Sequence, residues 1–317
     1  SHFLKPLLSN KYHNIFTNTL LLSLCLPKFN ICKCNGIKFA ELSYYRSSHM
    51  LSILKSALNA NSKEMGIVSN NIANANSTGF KKSSTNFEHI YSANHASDPD
   101  AFSGQGVNIS DPRLQMSQGA LQATGGALDL AVTGQGFFTV VQGNQIETPF
   151  FTRDGSFNIT ADGQVVTNDG LNVMGYNGDQ TIGGLVNLVI PTTKTNLDDT
   201  VSIITNVNVN SKGKITATYG LDDEVIVGSF GLAAFTNEPG LNPVGNNRYQ
   251  QNTKSGLAAY GVAMDNQFGK IEAGHIERAN VDITSEMVTM LKTQQAFSGV
   301  SRLLQTEVDM TKRLIDG

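Results

Sequence analysis

Tryptophan is absent from the 317 residues, and all three cysteines, Cys25, Cys32 and Cys34, lie near the N-terminus. Beyond Cys34, therefore, neither a disulfide framework nor a Cys-ligated metal site can form. Charge is scarce too. Only 15% of residues are Asp, Glu, Lys or Arg, against about a quarter in an ordinary globular chain. The net charge of −3 gives no basic footprint for nucleic acid or an anionic membrane. The longest apolar run, "IFTNTLLLSLCLP", is well short of the ~20 residues a helical membrane span needs.

Catalytic signatures are missing as well. The histidines after residue 49 are His89, His95 and His275, without H-E-x-x-H or paired spacing. No G-x-S-x-G elbow occurs, and no glycosidase carboxylate pair is defined by spacing. Asp154, Ser156, Asn158 and Asp162 begin like a calcium loop, but Ile159 and Val165 stand where that loop needs Gly and Glu. "TGQGFF" and "GDQTIGG" lack the Lys-Ser/Thr of a phosphate loop and open no helix. Glu272 and Glu277 flank His275, which reads as a polar junction before a helix. The expectation is a protein with no enzymatic activity and no catalytic, cofactor or metal site.

What is abundant is glycine, at 30 residues, together with Asn, Thr and Ser. Such a profile suits a β-rich chain with many tight turns. Residues 1–49 differ from the rest and read as upstream sequence translated in frame, with the working protein starting at Met50. A signal peptide is the alternative, since Lys5 and Lys11 precede the apolar run, but no A-x-A-like cleavage site follows it.

From Leu51 the apolar residues Leu51, Leu54, Leu58, Met65, Val68 and Ile72 recur every three or four positions, with Asn61 filling the one gap. This is a heptad-type stripe on one helix face. A second stripe runs through Ile283, Met287, Met290, Phe297, Leu304, Val308 and Ile315, interrupted by Gln294, Ser301 and Thr311. Asp282 or Thr284 can cap its start, and Glu286 suits the first turn. Between these helices the pattern is short strands with turns at Asp154-Gly155, Asp162-Gly163 and Asp169-Gly170. The fold class is α+β, mainly β. The domains are a helical unit from 50–80 with 280–317, an extended connector at 81–126 and a β-rich domain at 127–279.

The stretch "SNNIANANSTGFKK" (Ser69–Lys82) closes the first helix with side chains that compete with its backbone. As a structural feature it reads as a helix end with Gly79 as a cap. It also resembles the N-terminal motif of the bacterial flagellar rod and hook proteins, on Asn70, Asn71, Ile72, Ala73, Asn74, Thr78, Gly79, Phe80 and Lys81. "GALDLAVTGQGFFTV" with "FTRDGSFNITADGQVVTNDG" is similar to the start of that family's β-domain. "IERANVDITSEMVTMLKTQQAFSGVSRLLQTEVDM" is similar to its C-terminal helix. Three blocks in the expected order cover most of Met50–Gly317.

The resemblance implies a structural subunit of the flagellar hook–basal body axis, not an enzyme. It implies terminal helices that pair into a coiled-coil-like tube around an export channel, with the β-domain outside. Leu51, Leu54, Leu58, Met65, Val68, Ile72, Met287, Met290, Phe297, Leu304, Val308 and Ile315 are then the assembly interface. The implied partners are further copies, other flagellar axial proteins and the type III export apparatus, with no nucleic acid or small-molecule substrate. Its location is the basal body or hook, reached without a cleaved signal peptide. A rod subunit is favoured; a hook subunit without its outer domain is the alternative. A secreted β-rich adhesin with a helical stalk is the rival of another class, and an extracellular hydrolase a third.

Overall fold

A computed structural model describes residues 37–91, 104–143, 148–178, 184–195, 201–220, 223–265 and 267–316. Two compact units divide the chain, 1–47 and 48–317. Of the first, the described part is helical backbone. The second contains the rest of that helix, the β-rich region and the C-terminal helix.

Helix α1 runs Ile37–Ala73 and helix α2 Ile283–Asp316. At 1.5 Å per residue they are ~55 and ~50 Å long, more than a small domain spans. Helical backbone is described from Ile37, ahead of Met50. No Pro or Gly stands between Ile37 and Met50 to break it. Asp282 starts α2 by accepting the Thr284 and Ser285 N–H groups on Oδ1, at 2.9 and 3.4 Å.

The β-rich region is built on one antiparallel sheet of 14 strands. Its central run is Asp223–Phe230, Asn172–Asn177, Phe137–Val141 and Phe150–Thr152, each hydrogen-bonded to the next. Phe137 and Phe138 show why the sheet has two packed faces. Adjacent residues of a strand point to opposite sides, and both rings are fully buried. Phe138 packs edge-to-face on Phe157, with centroids 5.0 Å apart, in a core that includes Phe230, Val173, Ile190 and Ile215. Phe137 meets Phe235 and Tyr249 at 5.9 and 6.0 Å in a second core with Phe151, Leu114 and Leu241.

Two of the three expected Asp-Gly hairpins are present. Asp162-Gly163 joins Phe157–Ile159 to Val165–Thr167, and Asp169-Gly170 joins the latter to Asn172–Asn177. Both glycines take positive φ, 78° and 77°. Asp154-Gly155 is not a hairpin, because the strands on either side do not pair with each other. Gly155 is needed for close approach: a Cβ there would lie 1.7 Å from the Leu130 carbonyl oxygen.

The segment 81–126, expected as an extended connector, carries strands. It contains a hairpin, Phe87–Tyr91 with Gly104–Ile109. Ser83–Ser84 pairs with Arg113–Leu114, and Leu121–Ala123 with His275–Glu277. The Ser56 hydroxyl accepts the Val107 N–H at 3.3 Å, which lays the hairpin against α1. The segment "ANHASDPDAF" lies outside the described residues, as do residues 1–36 and most of "GDQTIGG".

Candidate functional site

The Asn-rich stretch is where α1, the sheet and the start of α2 meet. The helix ends as its side chains predict. The Asn70 carbonyl accepts both the backbone N–H and the side-chain amide of Asn74, at 3.1 and 3.0 Å. Asn71 is buried and fully used. Its Oδ1 accepts the Ser83 N–H at 3.0 Å, while Nδ2 donates to the Ser83 carbonyl and to Glu286 Oε2 at 2.9 and 3.2 Å. Thr78 accepts from Asn247 Nδ2 at 2.7 Å through its carbonyl, and Asn76 Oδ1 from Arg278 at 2.9 Å.

Gly79 then turns the chain, with φ +67°. A Cβ would sit 2.6 Å from the Asp154 nitrogen, so glycine is required twice over, for conformation and for space. Its N–H donates to the Glu277 carbonyl at 2.7 Å. Lys81 follows and is buried to 1% exposure. Its ammonium donates to Glu277 Oε1 at 2.7 Å and to the Ser117 carbonyl at 2.9 Å. Burial lowers the Lys81 pKa against the opposing pull of Glu277. The same Oε1 accepts the Gly119 N–H at 2.8 Å. Arg153 lies 3.8 Å from Oε2, donates to the Gly134 carbonyl at 2.9 Å and stacks 4.7 Å above the Phe137 ring.

Lys82 completes the joint. Its N–H donates to Asn280 Oδ1 at 2.7 Å, and its ammonium pairs with Glu286 in the first turn of α2. Asn280 spends its amide on the carbonyls of Gln115 and Ser117, at 2.8 and 3.0 Å. Residues 71–82 are thereby tied to 113–119 and 277–286 through buried polar contacts. Most of these groups are spent on one another, while Glu277 Oε2 and Arg153 Nε are buried without a hydrogen-bond partner. Among the described residues no group of three His, Cys, Asp or Glu is placed to hold a metal.

The motif residues therefore come together, but the expected helix stripes do so only in part. On α1, Leu54 and Val68 are buried, Leu58, Met65 and Ile72 half-buried, and Leu51 exposed. On α2, Met290, Phe297 and Leu304 are half-buried, while Met287 is 52% and Val308 40% exposed. The Ile315 side chain is outside the described residues. The deepest line on α2 is instead Glu286, Thr293 and Glu307, spaced by multiples of seven and one residue off the apolar reading. Contacts from Asn71 and Lys82 to Glu286 turn the helix to this frame. The sequence placed Glu277 at a polar junction before α2 without its partners, left Arg153 with no role there and assigned Glu286 only to the helix dipole. A glutamate three residues before the Asn280-Val281-Asp282 entry was the one available signal.

The joint ties two long helices to a β-rich region. Comparison with known proteins identifies the family. Three family models match in order: "Flagella basal body rod protein" at residues 51–81, "Flagellar hook protein FlgE/F/G D1 domain" at 131–217, and "Flagellar basal body rod FlgEFG protein C-terminal" at 272–316. The chain is 30% identical over 273 residues to the flagellar basal-body rod protein FlgG of Agrobacterium fabrum, covering 82% of this chain and 95% of that protein. It is likewise 30% identical to FlgG of Bacillus subtilis, over 80% of this chain and 92% of that one. The flagellar hook protein FlgE of Helicobacter mustelae is 30% identical but aligns over 60% of this chain and 46% of its own length. The chain belongs to the flagellar rod and hook protein family, as a structural rod subunit of the flagellar axis.

Proposed function

We propose that the chain polymerises with copies of itself into a helical tube, with the helical unit 50–80 and 280–317 as inner wall and the β-rich 127–279 as surrounding layer. The observation that carries this is the apolar surface left on the helices. Leu51, Ile53, Met287, Val288, Leu291, Leu303 and Met310 are all exposed in the single chain. They spread around the helices beyond the buried lines, as a wall with neighbours on both sides requires. The twelve stripe residues, from Leu51 to Ile315, are the proposed interface, with Leu54 and Val68 already covered within the chain.

In this reading the joint transmits torque from inner wall to outer layer, and the tube encloses the export channel. Neighbouring axial proteins and the type III export apparatus are the partners. The site of assembly is the basal body, reached without a cleaved signal peptide, and no catalytic step is involved. The hook alternative is less favoured, since the rod relatives align over nearly their whole length and the hook relative over under half.

Limited proteolysis with mass spectrometry, on monomer and then on polymer, tests this. Cleavage within 50–82 and 280–317 in the monomer, and protection in the polymer, is expected. Equal cleavage of the helices in both states would overturn it.

A further inference from the structure

We infer that Asn71 and Glu286 form a register pin that fixes which turn of α1 packs against which turn of α2. Asn71 lies in the last turn of α1 and Glu286 in the first turn of α2, 215 residues apart, yet Nδ2 and Oε2 are 3.2 Å apart and both residues are buried. A contact between those two ends makes side-by-side packing of the helices antiparallel. Seven residues back along α1 from Asn71 is Glu64, and seven forward along α2 from Glu286 is Thr293, which is buried.

The remaining polar capacity at the pin is spent on neighbours that cannot follow a slip. Asn71 holds the Ser83 backbone from both sides, and Glu286 pairs with Lys82. Moving α2 by one heptad, ~10 Å at 1.5 Å per residue, would bury Asn71 and Lys82 away from their carboxylate. Apolar residues along the helices do not discriminate between such frames, because they recur every three or four positions. A buried polar pair does, as an inward Asn does in coiled coils. It adds to the hold of Lys81 on Glu277 and of Lys82 on Asn280 just before α2. The pin thus selects one frame and costs stability relative to an apolar pair. It rests on the reading that α1 and α2 pack together, and its test separates the two.

In a Cys25→Ser, Cys32→Ser, Cys34→Ser background, cysteines are placed at Glu64 and Thr293, or at Glu64 and Val300 as the frame slipped by one heptad. The parent is expected to cross-link in the first pairing and not in the second. With Asn71→Leu and Glu286→Leu, the second pairing is expected to appear beside the first, a lowered register selectivity with helix content retained by circular dichroism. Asn71→Ala gives the same reading should the double variant fail to fold. If the variants still form only the first cross-link, the pin is overturned; if the parent forms neither, the packing frame itself is wrong. Polymerisation of each sample is scored separately, so loss of the tube and loss of register are distinguishable.

Discussion

Lys81 and Glu277, 196 residues apart in the chain, place Nζ and Oε1 2.7 Å apart with side chains 1% and 0% exposed. A pair this deep has no water to fall back on. Without Lys81, Glu277 keeps only Arg153, 3.8 Å from Oε2, and the Gly119 N–H, and breaking so deep a pair costs about 3–5 kcal/mol. Lys81→Met is therefore expected to lower stability by that amount, read from the midpoint of urea unfolding. Lys81→Met with Glu277→Leu should not recover the loss, because it leaves Arg153 and the Gly119 N–H buried without their carboxylate. If Lys81→Met alone changes stability by less than 1 kcal/mol, the pair does not hold the joint.

Gly79→Ala asks for a positive φ of +67° at a residue with a side chain, and for a methyl group 2.6 Å from the Asp154 nitrogen. The conformational part alone costs roughly 1–2 kcal/mol, and the backbone clash adds to it. A fall in melting temperature of several degrees is expected by calorimetry. An unchanged melting temperature would mean that the turn does not have this geometry in solution.

Phe137 and Phe138 share a strand but anchor different cores. Replacing either with Ala should cost about 3–5 kcal/mol, as for other fully buried aromatics. The two losses differ in where they act. Phe137→Ala also removes the face under Arg153, so hydrogen exchange should rise around 132–134 and 153 as well as in the second core. Phe138→Ala opens the core that holds Val132 and should leave the amides of 134 and 153 protected.

These cases show which parts of the structure could be read in the residues. The Asn70–Asn74 helix stop and the Asp162-Gly163 and Asp169-Gly170 hairpins were legible, because local side chains or turn residues make them. Asp154-Gly155 carries the same dipeptide but answers to the Leu130 backbone, a long-range demand that no local pattern records. The heptad frame on α2 slipped by one residue for a related reason. Apolar content favours Met287 and Val308, whereas Glu286 is drawn inward by Asn71 and Lys82 from the far side of the sequence. Lys81 was visible in a motif and Glu277 in a polar junction; that the two pair across 196 residues was not.

Tyr249 supplies a pH test. Burial, with Glu277 nearby, raises the pKa of its phenol above the ordinary 10.0. The folded chain thus keeps this proton at pH values where the unfolded chain releases it. Its contribution to stability is complete below pH 10 and is lost as pH rises beyond that. The stability of Tyr249→Phe relative to wild type should therefore improve steadily between about pH 10 and 11.5, by denaturant titration. A constant difference across that range would mean that the phenol is not buried as described.

The exposed residues of α2 separate assembly from folding. Leu54 is a poor probe, because it is buried within the chain and Leu54→Asp would destabilise the monomer first. Met287 is 52% and Leu291 58% exposed. A charge at either position touches little in the single chain, and monomer stability should stay within ~0.5 kcal/mol of wild type. In a tube wall the same carboxylate would be carried into an apolar contact with a neighbouring copy, where an unpaired charge is not tolerated. Met287→Asp and Leu291→Asp are therefore expected to unfold like wild type and to fail in sedimentation and electron-microscopy assays of polymer. Met287→Leu should polymerise normally. Wild-type polymer yield from both Asp variants would remove α2's outward face from the interface and leave the inner wall to α1.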